Sequence, residues 1–191
     1  NRSMRRLSRL VLLAAATGRV AAEYSVAAWE ETKDTELAWW KDWMRKHKDD
    51  HLLPRLDPHR PFDAELTAII MEHYTGQPPP LLRVLDMGAG PATTLGKVLP
   101  GHVLQMRACD ADAYRYVKVW NEMKMQPLVV TEFCTFENAS QWIHDKFDLV
   151  FQQNALDHAH DVPKAIDAML ELVAPGGLMV LFNMAEEATR Q

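Results

Sequence analysis

Strand-like and helix-like segments alternate over the last 110 or so residues, predicting an α/β fold with a doubly wound, mostly parallel sheet. Three observations carry that expectation. Leu82–Gly96 (LRVLDMGAGPATTLG) joins an apolar, β-prone run to a glycine turn and a helix-start pattern. A second apolar run, Val103–Asp110, ends in an acid 20 residues after Gly90. Pro175-Gly176-Gly177 parts a helix-period segment from a final apolar run through Phe182. Repeats of strand, turn and helix place helices on both faces of a parallel sheet.

The N-terminal segment has a different composition. Residues 1–22 hold five arginines (Arg2, Arg5, Arg6, Arg9, Arg19) and no acid, a short apolar run at Leu10–Ala16, and small residues at Val20-Ala21-Ala22. A secretory signal and an organellar transit peptide match this pattern equally, and an ordinary amphipathic helix is the third reading. The run is too short to span a bilayer. The expected location is therefore the destination of such a targeting segment, or otherwise the cytoplasm. Without those five arginines the 21 basic residues fall to 16 against 26 acidic ones, a net charge of -10.

Residues 23–80 read as an N-terminal helical extension that caps the domain, and 81–191 as the α/β domain. Glu23–His51 has helical period, with Trp29, Leu37, Trp40 and Met44 near one face and Trp39 and Trp43 widening it. Four tryptophans in fifteen residues call for burial, against the domain or as a lid over its pocket. His47 and His51 lie four apart; with no third ligand in view they read as solvated. Leu52–Pro61 is a proline-punctuated connector. Phe62–Tyr74 returns to helical period, and Gly76 with Pro78-Pro79-Pro80 delivers the chain to the first core strand. Further helices are expected at Thr93–Leu99, Ala111–Lys124, Ala139–His144 and Val162–Val173, and a strand at Leu128–Phe133.

Composition narrows the classes. A 191-residue chain with 48% hydrophobic residues can bury a substantial single core. A net charge of -5 and a pI near 5.9 exclude the basic stripe of a general nucleic-acid binder. Cys109 and Cys134 fall on or just after neighbouring predicted strands; two such thiols are expected to be free and buried. No Cys/His spacing resembles a zinc site, so no metal is expected.

The first glycine turn carries the chemistry. Gly88 and Gly90 let backbone turn sharply and approach a ligand without an intervening Cβ. Asp86, at the strand end, would repel a pyrophosphate and hold a cationic or donor-rich ligand. The D-x-G-x-G arrangement of Asp86, Gly88 and Gly90 resembles the first motif of the class I S-adenosylmethionine-dependent methyltransferases. Three further segments match in order: Val103–Asp110, Phe147–His158 (FDLVFQQNALDH) and Ala165–Phe182 (AIDAMLELVAPGGLMVLF). The resemblance covers Leu81 to Phe182 and implies a Rossmann-like methyltransferase fold that binds S-adenosyl-L-methionine.

By that resemblance Asp86, Gly88, Ala89 and Gly90 lie at the methionine end of the cofactor, the glycines placing backbone N–H groups near it and Asp86 accepting from loop amides or from the cofactor's amino group. Asp110 would accept from the ribose hydroxyls, with Ala111 beside the adenosine. Thr135 and Phe136 would contact the adenine, and Asn154 would hold a substrate or cofactor amine. Asp157 or His158 would take a proton from the attacking group, with His158 equally suited simply to pinning its loop. The implied reaction is methyl transfer to a small-molecule acceptor by direct in-line displacement, O-methylation ranking ahead of N- or C-methylation. The family fold adds two strands after the fifth, and this chain stops just beyond the fifth. That implies an open strand edge, to be covered by a second copy or a partner.

Two other classes remain open. A dinucleotide-dependent dehydrogenase shares the ribose acid, but its G-x-G-x-x-G pattern needs a small residue where Thr93 stands. A non-catalytic methyltransferase-like binding or partner module is compatible with the truncated end and the tryptophan-rich helix.

Overall fold

The computed structural model describes residues 9–14 and 26–183, with side chains from Lys33 to Phe182. Six strands form one sheet: β1 (Arg9–Ala14), β2 (Leu81–Met87), β3 (Val103–Asp110), β4 (Thr131–Phe133), β5 (Phe147–Gln153) and β6 (Val173–Asn183). Their spatial order is β1-β6-β5-β2-β3-β4, and every neighbouring pair is parallel. The helices are α1 (Val26–Lys46), α2 (Leu53–Leu56), α3 (Ala64–His73), α4 (Ala113–Met123), α5 (Ala139–Trp142) and α6 (Val162–Leu172). The chain runs outward from β2 through β3 and β4, then returns to β5 on the other side of β2. Ligands of open α/β sheets bind at such a reversal, beyond the carboxyl ends of the strands.

Strand period explains why helices cover both faces. Leu82 and Val84 of β2 pack with Leu149, Leu178, Val180 and, from α3, Leu66 and Ile70. Leu85 and Met87 point the other way, into a core with Val150, Met179 and α6 residues Met169 and Leu172. Asp63 starts α3 by accepting from Leu66 N at 2.8 Å, a cap that satisfies one free amide of the first turn. Asp161 does the same for α6, accepting from Lys164 N at 3.0 Å. A third cluster joins α1 to α4 through Met44, Trp40, Tyr116, Val119 and Trp120.

Several expectations need correction. Arg9–Ala14 lies within the segment read as targeting sequence, yet it forms β1 along the edge expected to be open, with Leu12 opposite Leu181. An apolar run of this length suits an edge strand as well as a leader, and β6 offers it a row of unpaired backbone groups. Residues Thr93–Leu99 are not helical. Lys97 N and Val98 N both donate to Arg60 O, and Phe62 N donates to Val98 O. Pairing with the connector thus takes the amides that a helix would have used. Cys109 and Cys134 form a disulfide, with Cα atoms 5.6 Å apart. Register explains it, since Cys109 pairs with Glu132 and Cys134 lies two residues beyond that partner, just past the end of β4. The aromatic face of α1 is only partly withdrawn from water: Met44 is buried, whereas Trp39 is 54% exposed. The Trp29 side chain lies outside the described residues. The predicted strand at Leu128–Phe133 shortens to Thr131–Phe133. Among the described residues no helix is long and apolar enough to cross a membrane.

The connector pairing leaves no room at Gly96, where an added Cβ would meet Pro61 O at 2.0 Å. Gly96→Ala is expected to lower stability by about 3 kcal/mol, the upper range for overpacking that needs a backbone shift. Chemical denaturation measures it, and an unchanged midpoint would contradict the pairing.

Candidate active site

The turn after β2 is built by two left-handed glycines, Gly88 at φ 66° and Gly90 at φ 62°. A side chain at either would be strained, and the space each leaves is used. A Cβ at Gly90 would lie 2.7 Å from the Trp40 ring of α1. One at Gly88 would lie 2.4 Å from Ala155 Cβ and 2.9 Å from the Phe136 ring. Trp40 and Phe136 therefore press on the turn from two sides.

The amides of this turn are committed within the protein. Gly88 N and Ala89 N both donate to Cys109 O, at 2.8 and 3.1 Å. Gly90 N donates to Asp110 Oδ2 at 2.9 Å. The expectation that these N–H groups face a ligand is corrected accordingly: the turn curls back onto β3 and satisfies its own donors. Asp86 accepts from within its own loop, through a hydroxyl rather than the expected amides. It is 2% exposed and accepts from the Thr93 hydroxyl. Burial pushes its carboxyl up to about 7, partly opposed by the Thr93 bond. Asp86 braces the loop from inside the protein.

Asp110 occupies the centre. Besides Gly90 N, its carboxylate accepts from Asp112 N at 2.8 Å and from Tyr116 Oη at 3.1 Å. Burial pushes its pKa up, against the three hydrogen bonds. Ala111 follows it, half-buried at the start of the turn into α4. Glu36 of α1 belongs to the same hollow: its carboxyl is raised by burial and then by Asp110, and is also influenced by His158 and Asp157. Asp112 is pushed up to about 6, by burial and then by Glu36. Glu36 holds Trp40 Nε1 at 3.4 Å, one helical turn on.

Carboxylates from α1, the end of β3 and the loop after β5 thus converge above the sheet's carboxyl edge. Two of their oxygens, Asp112 Oδ2 and Asp157 Oδ1, are buried without a hydrogen-bond partner among the described residues. Buried acceptors left unpaired are costly and call for a donor or a cation.

The loop after β5 brings further predicted residues to this edge. Asn154 takes a left-handed φ of 50°, with its amide donating to Phe182 O at 2.8 Å. His158 is exposed, with Nε2 3.9 Å from Asp157 Oδ1. Thr135 sits beside Phe136 and accepts from Asn138 Nδ2 at 3.4 Å. Glu137 holds this loop: it accepts from His160 N at 2.8 Å and pairs with His160 Nδ1 at 2.9 Å.

Sequence reasoning missed Glu36, Thr93, Tyr116 and Glu137 as site-forming residues. Glu36 had a readable signal, an acid one turn before Trp40 on the aromatic side of its helix. Thr93 and Glu137 act on residues remote in sequence or buried by the fold, and nothing local marks them.

A cavity of about 440 Å³ opens beside this edge, lined by the ends of β5 and β6 (Phe151, Gln153, Phe182), by Thr94, and by the connector residues Arg55 and Arg60. Arg55 reaches Ala92 O at 3.2 Å and lies over the Trp43 ring, 4.6 Å from its centroid. Thr94 donates to Gln153 Oε1 at 2.8 Å.

Residues 45–188 match a family described as a methyltransferase domain. The chain belongs to that family. No curated protein sequence matches this methyltransferase domain. Among solved structures it is similar to the CurJ carbon methyltransferase, at 23% identity over 61% of this chain and 33% of that one, with a TM-score of 0.47. It is also similar to the plantazolicin methyltransferase BamL, in complex with a triazolic desmethylPZN analog and SAH, at 13% identity over 76% and 50% of the two chains, TM-score 0.45. A SAM-dependent methyltransferase from Geobacter sulfurreducens, in complex with S-adenosyl-L-homocysteine, matches at 18% identity over 64% and 49%, TM-score 0.39. The methyltransferase domain spans a third to a half of the length of these proteins.

Asp86 titrates near 7 when folded and near 4 when unfolded. Between those values the folded state binds the extra proton, so this group's contribution to stability falls as pH rises. Asp86→Asn is expected to match the parent protein near pH 4 and to be more stable by about 4 kcal/mol at pH 8. Thermal unfolding across that range tests it; a pH-independent difference would refute the assignment.

Proposed function

We propose that this methyltransferase domain binds S-adenosyl-L-methionine over the carboxyl ends of β2 and β3 and transfers its methyl group to a small-molecule acceptor. What supports the reading most is the cluster of Glu36, Asp110, Asp112 and Asp157, with two buried carboxylate oxygens lacking a hydrogen-bond partner among the described residues. A ligand with a fixed positive charge, an ammonium group and two ribose hydroxyls suits that donor-poor, acid-rich hollow. Cofactor-laden complexes of similar proteins, with S-adenosyl-L-homocysteine bound, agree with the choice of cofactor.

Each residue has a part in this reading. Asp110 has one oxygen, Oδ2, with a single described partner, and that oxygen accepts from the ribose. Ala111, Thr135 and Phe136 flank the adenosine; Gly88, Ala89 and Gly90 supply a turn without bulk, shaped from beneath by Asp86. Trp40 and Glu36 close the hollow from α1 and exclude water. When bound, the cofactor supplies a methyl group already activated on a sulfonium. Asn154 orients the acceptor, and Asp157 with His158 moves a proton from an acceptor hydroxyl to solvent. The 440 Å³ cavity beside Gln153 receives the acceptor, a size within the usual range for small-molecule sites.

Calorimetric titration with S-adenosyl-L-methionine is the test. The unmodified chain is expected to bind it and not NAD, and Asp110→Ala to weaken binding about tenfold or more, the loss of a charge-assisted hydrogen bond. Asp110→Asn, which keeps the acceptor oxygen for Tyr116, guards against a trivial folding defect. Absence of binding by the folded parent protein overturns the reading. Binding without turnover on a broad panel of acceptors assigns the chain to the binding-module class.

A further inference from the structure

The rim of the acceptor cavity carries three groups that the methyl-transfer reading leaves unused. After α1 the chain makes one π-helical turn, Lys48–Leu52, in which Leu52 N donates to His47 O at 2.9 Å. Such wide turns are rare and recur at functional sites. His47, Asp50 and His51, at i, i+3 and i+4 across it, fall on the same side. Asp50 Oδ2 lies 3.3 Å from His47 Nδ1 and 3.6 Å from His51 Nε2. The three potential ligand atoms all fall within 4.8 Å of one another.

The His47–Asp50 contact is a long hydrogen bond, and the His51–Asp50 separation of 3.6 Å lies beyond hydrogen-bond range. Two ligand atoms each about 2.0–2.1 Å from a tetrahedral ion stand about 3.4 Å apart, between the two observed values. The imidazoles are also pre-placed. The Trp43 ring lies 5.5 Å from the His47 ring and stacks on His51 at 6.0 Å, centroid to centroid. Arg55 lies over the same indole. Holding rings from behind in this way reduces the ordering cost of chelation. Asp50 and His51 both line the 440 Å³ cavity, so an ion between them borders the cavity's interior.

We propose that His47, Asp50 and His51 form a site for a divalent first-row transition ion, zinc in the first instance, at the mouth of the acceptor cavity. Two imidazoles and one carboxylate suit zinc, cobalt or nickel and discriminate against magnesium and calcium, which prefer all-oxygen shells. Three protein ligands leave a coordination position for water or for an oxygen of the acceptor. The third ligand, Asp50, is what the sequence pattern of two histidines four apart did not supply. The metal site stands without the cofactor reading; only its role toward an acceptor rests on it.

The test uses the full chain freed of metal with a chelator and then dialysed. Zn²⁺ titration by calorimetry is expected to show one tight site, and Co²⁺ to give the strong visible absorption of a four-coordinate ion. His51→Ala and Asp50→Ala should each weaken Zn²⁺ binding about tenfold or more, as loss of a ligand requires, while His144→Ala, an exposed histidine elsewhere, leaves it unchanged. Thermal unfolding confirms that the variants fold; all three sites are on the surface. Zn²⁺ binding that is absent at millimolar concentration, or that persists undiminished in both His51→Ala and Asp50→Ala, overturns the proposal. S-adenosyl-L-methionine titrated against the same variants separates the two readings: unchanged cofactor binding with lost zinc binding supports the metal site alone, and loss of neither with zinc bound elsewhere rejects it.

Discussion

One carboxylate holds the functional end of this domain together. Asp110 takes the Gly90 amide on one oxygen and the Asp112 amide and Tyr116 hydroxyl on the other. The glycine turn after β2 and the entry into α4 are thereby fixed to the tip of β3. Hydrogen bonds to an ionised acceptor are about twice as strong as neutral ones, and three of them offset part of the burial that still holds this carboxyl above its ordinary range. Tyr116 adds rigidity because it is itself buried, with its phenol pushed far up by that burial and by Asp110. Trp40 then rests against Gly90 because the turn is held where it is.

The same arrangement concentrates negative charge that Arg115, 3.6 Å from Asp112, and His158 offset only in part. Glu36, Asp110 and Asp112 are each raised by burial, and Glu36 and Asp112 by neighbouring acids as well. That is a cost to folding, tolerated where a ligand is to relieve it. Across Asp86 the balance reverses: Arg55 and Lys97 are both lowered, by burial and by neighbouring guanidinium groups, Lys97 to about 8. The sheet's carboxyl edge is thus acidic above β3 and carries cations toward the cavity. An activated cationic methyl donor and a separate acceptor fit two such adjoining regions.

Much of this was legible in the sequence, for physical reasons. Leu82–Asp86, Val103–Asp110 and Phe147–Gln153 are apolar runs bounded by glycine or an acid, and buried parallel strands have that signature. Asp110 could be singled out because its distance from the glycine turn is set by one βα unit. The failures came where tertiary pairing overrode local preference. Thr93–Leu99 was read as a helix from its place after the glycine turn, but Arg60 O captured the Lys97 and Val98 amides. The edge expected to be open is paired by Arg9–Ala14; composition says nothing of an edge waiting to be paired. The cysteines could be matched only once the register of β3 with β4 was known. Asp50 was readable beside the histidine pair, since i, i+3 and i+4 share one face of a helix, but it was not considered as a partner for them.

The most direct measurement of the central claim is a crystal structure of this chain grown with S-adenosyl-L-homocysteine. Nucleoside density between Trp40 and Phe136, with its ribose hydroxyls on Asp110 and the Gly90 and Asp112 bonds intact, is the predicted result. Density at any other edge of the sheet, or an Asp110 carboxylate out of reach of the nucleoside, would contradict the account.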